Sequence, residues 1–191
     1  MEINQISRSK NGVVMMRKII IYGSKYGTTE RYAIELSRRT GISAYSYNTL
    51  KDLSDYDVII YLGGLYAGGV LGLSDTVKLM PANQEQRLIV ITVGLADTND
   101  KTNTDSIKSS IEKLLPKHIF KCTEIFHLRG GIDYQTLTSL HKIMMKFMYH
   151  QEKKIPPEKR SSETKEFIRT YNQKIDFVDF ESLNSVIEHL S

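Results

Sequence analysis

The chain has 191 residues, a formal net charge of +4, 40% hydrophobic and 25% charged residues, and one cysteine, Cys122. That length fits one domain with a buried core and is short for two; no apolar run reaches the roughly 18 residues of a spanning helix, so a soluble or peripheral protein is expected and an integral one is not. A single cysteine rules out an internal disulfide framework and fits a reducing compartment, with the cytoplasm as the default.

The leader MEINQISRSKNGVVMM, residues 1–16, lacks the apolar stretch and small-residue cleavage site of a secretory signal and reads as a flexible extension to a domain over 17–191. Apolar blocks then alternate with helical patterns. Lys18–Tyr22, Asp57–Leu62, Arg87–Val93 and Thr123–Leu128 read as strands, and near-continuous runs such as VIIYL and LIVITV suit strands covered on both faces. Ser43–Asn48 is a weaker second strand whose alternation fits a sheet edge. Helices are expected at about Thr29–Arg39, Ser74–Met80, Asp105–Leu115, Leu137–His150 and Phe180–Leu190. This alternation predicts an α/β, doubly wound, five-stranded parallel sheet. In such sheets ligands bind beyond the carboxyl ends of the strands, where strand order reverses, so the loops after strands one, three and four are the candidates. The charged, proline-bearing stretch QEKKIPPEKRSSE reads as an exposed connection before the last helical part.

After the first strand, Gly23-Ser24-Lys25-Tyr26-Gly27-Thr28-Thr29 opens a helix. A helix start leaves backbone N–H groups unpaired and carries partial positive charge, so a phosphate fits there, with Ser24, Thr28 and Thr29 as further donors. The alternative is a turn and cap with Glu30 in the first turn. Three residues separate Gly23 from Gly27 and Thr28 follows, which is not the spacing of a nucleotide-hydrolysing P-loop; the G-x-G-x-x-G dinucleotide pattern is also absent. After strand three, GGLYAGGVLG carries five glycines in ten residues around Tyr66, whose ring offers a flat face for stacking. After strand four comes VGLADTNDK, again with a glycine at the strand end.

The Ser/Thr-Lys/Arg-x-Gly-x-Thr loop at Ser24–Thr29 and the block DYDVIIYLGGLYAGG resemble the flavodoxin family from about Arg17 to the C-terminus, closest to the subgroup that includes the menaquinone-linked protoporphyrinogen dehydrogenase. The resemblance implies sheet order 2-1-3-4-5 and FMN as cofactor. It implies that Ser24, Lys25, Tyr26, Gly27, Thr28 and Thr29 form the FMN phosphate loop. Gly64, Leu65, Tyr66, Ala67 and Gly68 would then run along the isoalloxazine, and Gly94, Leu95, Ala96 and Asp97 would line its other side. Tyr26 departs from the family's Thr or Ser, with Lys25 as a substitute source of charge. Leu95 and Ala96 stand where many flavodoxins place an aromatic residue, which leaves one flavin face open to a substrate or quinone. A glycine peptide of the Gly63–Gly69 loop is expected to face flavin N5 and tune it through a hydrogen bond.

Arg129, at the end of strand five, is either a substrate or partner contact, pairing with carboxylates or a reduced flavin anion, or a surface arginine at a helix entrance. Leu137, Leu140, Met144, Phe147 and Met148 put an apolar stripe on the following helix, read as a core face. Residues 138–160 hold six basic against two acidic residues, so the whole net charge sits in that segment, and peripheral contact with an anionic membrane or an acidic partner is the competing expectation. None of the five histidines shows metal-ligand spacing; His127 alone falls near the site edge and is read as a packed or surface histidine. Cys122 is expected to be buried, and aromatic and basic residues do not interleave as a nucleic-acid platform would. The expected function is FMN-dependent electron transfer with a redox partner protein or quinone. The rivals are a menaquinone-linked protoporphyrinogen dehydrogenase and a flavin-free interaction module of the same fold.

Overall fold

The computed structural model describes residues 16–66, 69–82 and 86–190, and the expected extension over 1–16 lies almost wholly outside them. β1 (Lys18–Gly23) leads into α1 (Thr28–Thr40), and β2 (Ala44–Ser46) follows. β3 (Val58–Tyr66) turns back on itself as β4 (Gly69–Val70) before α2 (Leu73–Lys78). β5 (Arg87–Gly94), α3 (Lys101–Leu114), the short α4 (Lys117–Lys121) and β6 (Thr123–Arg129) complete the main sheet. Next come β7 (Gly131–Asp133), α5 (Ser139–Glu152), α6 (Ser162–Thr170), β8 (Lys174–Asp176) and α7 (Asn184–Leu190).

The long strands are parallel in the order β2-β1-β3-β5-β6, the expected 2-1-3-4-5 layout with the β4 hairpin arm inserted in the count. Period-two alternation explains why the runs are apolar throughout. Ile20, Ile60, Leu62, Ile89 and Ile91 face Tyr32, Ala33 and Leu36 of α1 and Val186 and Leu190 of α7. Their neighbours Ile19, Ile21, Ile59, Tyr61 and Val90 face Leu73 and Val77 of α2 and Ile111 of α3. Each fully buried side chain of this kind contributes about 1.5–3 kcal/mol.

Register sets the ligand edge. Gly23 pairs with Gly63, Gly64 with Val93, and Gly94 with Arg129, so the chain reaches the same end of the sheet in β1, β3, β5 and β6. Gly23 is required sterically: a Cβ there would lie 2.0 Å from the Leu71 carbonyl oxygen, which the Tyr61 hydroxyl also grips by donating to it.

Three expectations need correction. The α5 stripe is not a core face: no residue of the helix is buried, and Leu140, Ile143 and Phe147 are 72%, 67% and 62% exposed. The stripe is split: Leu137, just before the helix, is buried and Met144 and Met148 line a cavity, while among the described residues nothing covers Leu140 or Phe147. Cys122 is exposed, because it ends α4 one residue before the strand begins. No helix was expected over 162–170, yet α6 forms there at the end of the exposed connection, capped by Ser161, which accepts from the Thr164 N–H at 3.1 Å.

α6 is held to the sheet edge by charge. Arg129 Nη2 donates to Glu166 Oε1 and to the Leu95 carbonyl, both at 2.9 Å, while its guanidinium carbon stacks 3.8 Å from the Phe177 ring centroid. Arg169 donates to the same carboxylate at 2.6 Å. The Arg169 hydrogen bond foremost, with the charges of Arg169 and Arg129, holds the Glu166 carboxyl below its usual range against the opposing effect of burial. A lowered folded-state pKa means the contribution is complete above the unfolded value of about 4.3 and is lost as pH falls through the lower folded value. Protection factors of the α6 amides, taken relative to the intrinsic exchange rate at each pH, will therefore fall on acidification below about pH 4.3, and Glu166→Gln will remove that acid step while loosening α6 at neutral pH by on the order of 1 kcal/mol. Ile60→Ala, at a fully buried position, will lower unfolding free energy in urea by about 2–5 kcal/mol.

Candidate functional site

The bend between β1 and α1 is a glycine-dependent helix start. Gly27 has φ 87°, in the left-handed region, and no atom lies within 4 Å of where its Cβ would be. It occupies the N-cap position of α1 without a side-chain cap, and among the described residues no hydroxyl or carboxylate accepts from the helix's first N–H groups. Regular pairing begins with Arg31 N–H donating to the Gly27 carbonyl at 3.0 Å. Ser24 Oγ folds inward to accept from Gly27 N–H at 3.1 Å. Glu30, the acidic residue of the first turn, accepts from the Tyr22 hydroxyl at 2.9 Å. Thr29 is 3% exposed, and its hydroxyl lies 3.1 Å from the point a Cβ on Gly64 would reach, which brings the second loop against the first.

That second loop is the β3–β4 hairpin, closed by the pairs Leu65–Val70 and Tyr66–Gly69 and by Leu71 N–H donating to the Gly64 carbonyl at 3.0 Å. Ala67 and Gly68, expected along a flavin ring, lie outside the described residues. The third loop leaves β5 at Gly94, where a Cβ would stand 2.6 Å from Leu65 Cδ1. Asp97 accepts from Asn99 N–H at 2.9 Å and its carbonyl accepts from Asn103 Nδ2 at 3.2 Å, so this residue shapes the turn.

One cavity of about 500 Å³ joins the three loops, within the range of a small-molecule site. Ser24, Lys25, Tyr26, Thr28 and Thr29 line it from the first loop, Gly64, Leu65 and Tyr66 from the second, and Gly94, Leu95 and Ala96 from the third. Gly27, Asp97 and Arg129 are not on its wall: Gly27 and Asp97 shape the loops, and Arg129 faces Glu166 and Phe177. His127 also stands apart from it, bonded through Nδ1 to the Thr92 hydroxyl at 2.7 Å, with burial lowering its pKa.

The opposite wall comes from α5 and α6, through His141, Met144, Met148, Glu152 and Phe167. His141 was not expected in the site. Its Nδ1 contacts the Tyr26 hydroxyl and its Nε2 the Tyr66 hydroxyl. The available signal was an imidazole in the first turn of a largely apolar and basic helix that follows the ligand edge; the spacing alone did not say which side of the helix would meet the loops.

The arrangement suits an elongated ligand with an anionic end. The uncapped helix start, the Thr28 and Thr29 hydroxyls and Lys25 are supplied by the first loop, and Leu65, Tyr66 and Leu95 supply apolar contact from the second and third. These residues fit the phosphate and flat ring of FMN, and the free volume beside the left-handed Gly27 leaves space for close approach to the backbone.

Among solved structures, flavodoxin 1 from Bacillus cereus is similar at 17% identity and a TM-score of 0.41, over 70% of this chain and 97% of its own. A flavoprotein in complex with FMN from Lactobacillus acidophilus is similar at 14% identity and a TM-score of 0.41, over 60% and 93%. A flavodoxin variant from Fusobacterium nucleatum bound to flavin mononucleotide is similar at 13% identity and a TM-score of 0.40, over 63% and 72%. No curated protein matches the chain in sequence. The sequence profile of the flavodoxin domain matches residues 19–160, which take in all three loops, most of the chain and α5, and on that match the chain belongs to the flavodoxin domain family.

Proposed function

We propose that this chain is an FMN-binding electron-transfer protein that holds the phosphate at the start of α1 and the ring between Tyr66 and Leu95. The observation that carries the reading is the uncapped, glycine-opened helix start whose Thr28 and Thr29 line the same cavity as the second and third loops. Bound FMN would supply the one- and two-electron chemistry. The chain's own contribution is placement and environment: helix amides and hydroxyls bind the dianion, and apolar side chains shield the ring from water. Arg129 is already engaged by Glu166, Leu95 and Phe177, which favours electron transfer with a redox partner over recognition of a carboxylate-bearing substrate such as protoporphyrinogen.

Titration of the purified protein with FMN, followed by absorbance and flavin fluorescence, tests this. Thr29→Val will weaken binding about tenfold, the range expected for a lost hydrogen bond to a charged group, and Gly27→Val about a hundredfold, because a β-branched residue is strained at the left-handed φ that opens the helix. Unchanged affinity in both variants would displace the phosphate from this loop, and protein that stays colourless would favour the flavin-free module.

The exposed row on α5 supports a second component of function, peripheral contact with an anionic membrane. Leu140, Ile143 and Phe147 follow each other at helical spacing, and Lys142 and Lys146 flank them. Among the described residues no helix is long and apolar enough to cross a bilayer. Co-sedimentation with phosphatidylserine vesicles is expected, with much weaker recovery after Ile143→Ser with Phe147→Ser and at high salt. Equal recovery with neutral vesicles, or no effect of the substitutions, would remove this component.

A further inference from the structure

The two tyrosines at the cavity come from different loops, yet one imidazole joins them. Tyr26 belongs to the first loop and Tyr66 ends β3, and His141 is 115 and 75 residues away from them in sequence. Its two ring nitrogens meet the two hydroxyls, and its ring stands edge-on to both, with centroids 5.7 Å and 5.3 Å away. A neutral imidazole has one donor and one acceptor nitrogen, so it satisfies one hydroxyl that donates and another that accepts. No other residue type of similar size offers both functions on opposite sides of a rigid ring.

α5 has little else to hold this end in place. Thr138 caps it by accepting from His141 N–H at 3.3 Å, and Leu137 just before it is buried. The far end is tied by Tyr149 stacking on Tyr171 at 4.0 Å and by Thr164 donating to Glu152 at 2.8 Å. Between these ties the helix buries no side chain. A segment with so little buried apolar contact sits at the low end of local stability, and its position depends on specific bonds.

We propose that His141 is a positioning residue for the cofactor, clasping Tyr26 to Tyr66 so that α5 lies as a strap across the mouth of the cavity and slows release of FMN. The proposal rests on the FMN reading above. The clasp acts through the tyrosines: it holds the Tyr66 ring on the cavity wall and draws the Tyr26 side of the phosphate loop towards it. Breaking it frees both rings and the first turns of α5.

The test compares FMN dissociation rate, quenching of bound-flavin fluorescence, and hydrogen exchange over residues 139–145 in wild type, His141→Phe, His141→Gln, Tyr26→Phe and Tyr66→Phe. His141→Phe keeps a ring of similar size without either hydrogen bond and is expected to release FMN about tenfold faster, with weaker quenching and faster exchange. His141→Gln carries an acceptor and a donor on one amide and is expected to recover part of each effect. Tyr66→Phe added to His141→Phe is expected to change little further, because both remove the same contact.

Wild-type release rate, quenching and exchange in His141→Phe would overturn the proposal, as would full additivity of the two substitutions. The exchange measurement needs no flavin. Wild-type protein that binds no FMN would overturn the cofactor reading and the positioning role together, whereas FMN binding with exchange unaffected by His141→Phe would overturn the clasp alone.

Discussion

Backbone comes very close to backbone where the first strand leaves the sheet. The carbonyl of Leu71, on the return arm of the β3–β4 hairpin, occupies the space a side chain at position 23 would need, and Tyr61 holds that carbonyl from below. Because the approach is possible only at glycine, the hairpin can lie against the end of β1, which puts Gly64 next to Thr29 and Leu65 next to Gly94. Each of these contacts draws one loop towards another. The cavity follows from them: three loops from three parallel strands share one space because no side chain separates their first residues.

The helix start then gives that space its polarity. A left-handed glycine at the N-cap position avoids a capping side chain, and the one acidic residue of the first turn is turned towards Tyr22. The partial positive charge of α1 is thus left for a ligand. Charge is used differently at the end of β6. There Arg129, which sequence position alone would offer to a ligand, is enclosed by Glu166, Leu95 and Phe177 and anchors the outer helices. Two cationic features at the same end of the sheet serve different purposes, and the difference lies in which partners the C-terminal part of the chain brings to them.

The sheet was legible in the sequence because both faces of its strands are covered. VIIYL and LIVITV admit few other readings when glycines follow each run and helical patterns lie between. The loops were legible for a related reason, since glycine at successive strand ends has a steric meaning that survives without coordinates. α5 was not legible in the same way. Leu137, Leu140, Met144, Phe147 and Met148 define an apolar side, but periodicity does not say whether anything packs on it, and here Leu140 and Phe147 face solvent while Met144 and Met148 line the cavity. His141 was hidden by the same ambiguity, because its partners come from loops far away in sequence. α6 was missed because its capping serine sits in a stretch dominated by charge and proline.

β7 and β8 pair antiparallel, with Gly131 opposite Asp176 and Asp133 opposite Lys174, and the main sheet takes no part in that pairing. The excursion that contains α5 and α6 therefore leaves and returns through a closed stem, like a hairpin whose tip has grown two helices. Length and composition beyond the stem can change without shifting the register of any parallel strand. A graft exchanged at residues 131–133 and 174–176 would meet the same scaffold, so this appendage is the part of the chain best placed to diversify what approaches the parallel sheet beneath it.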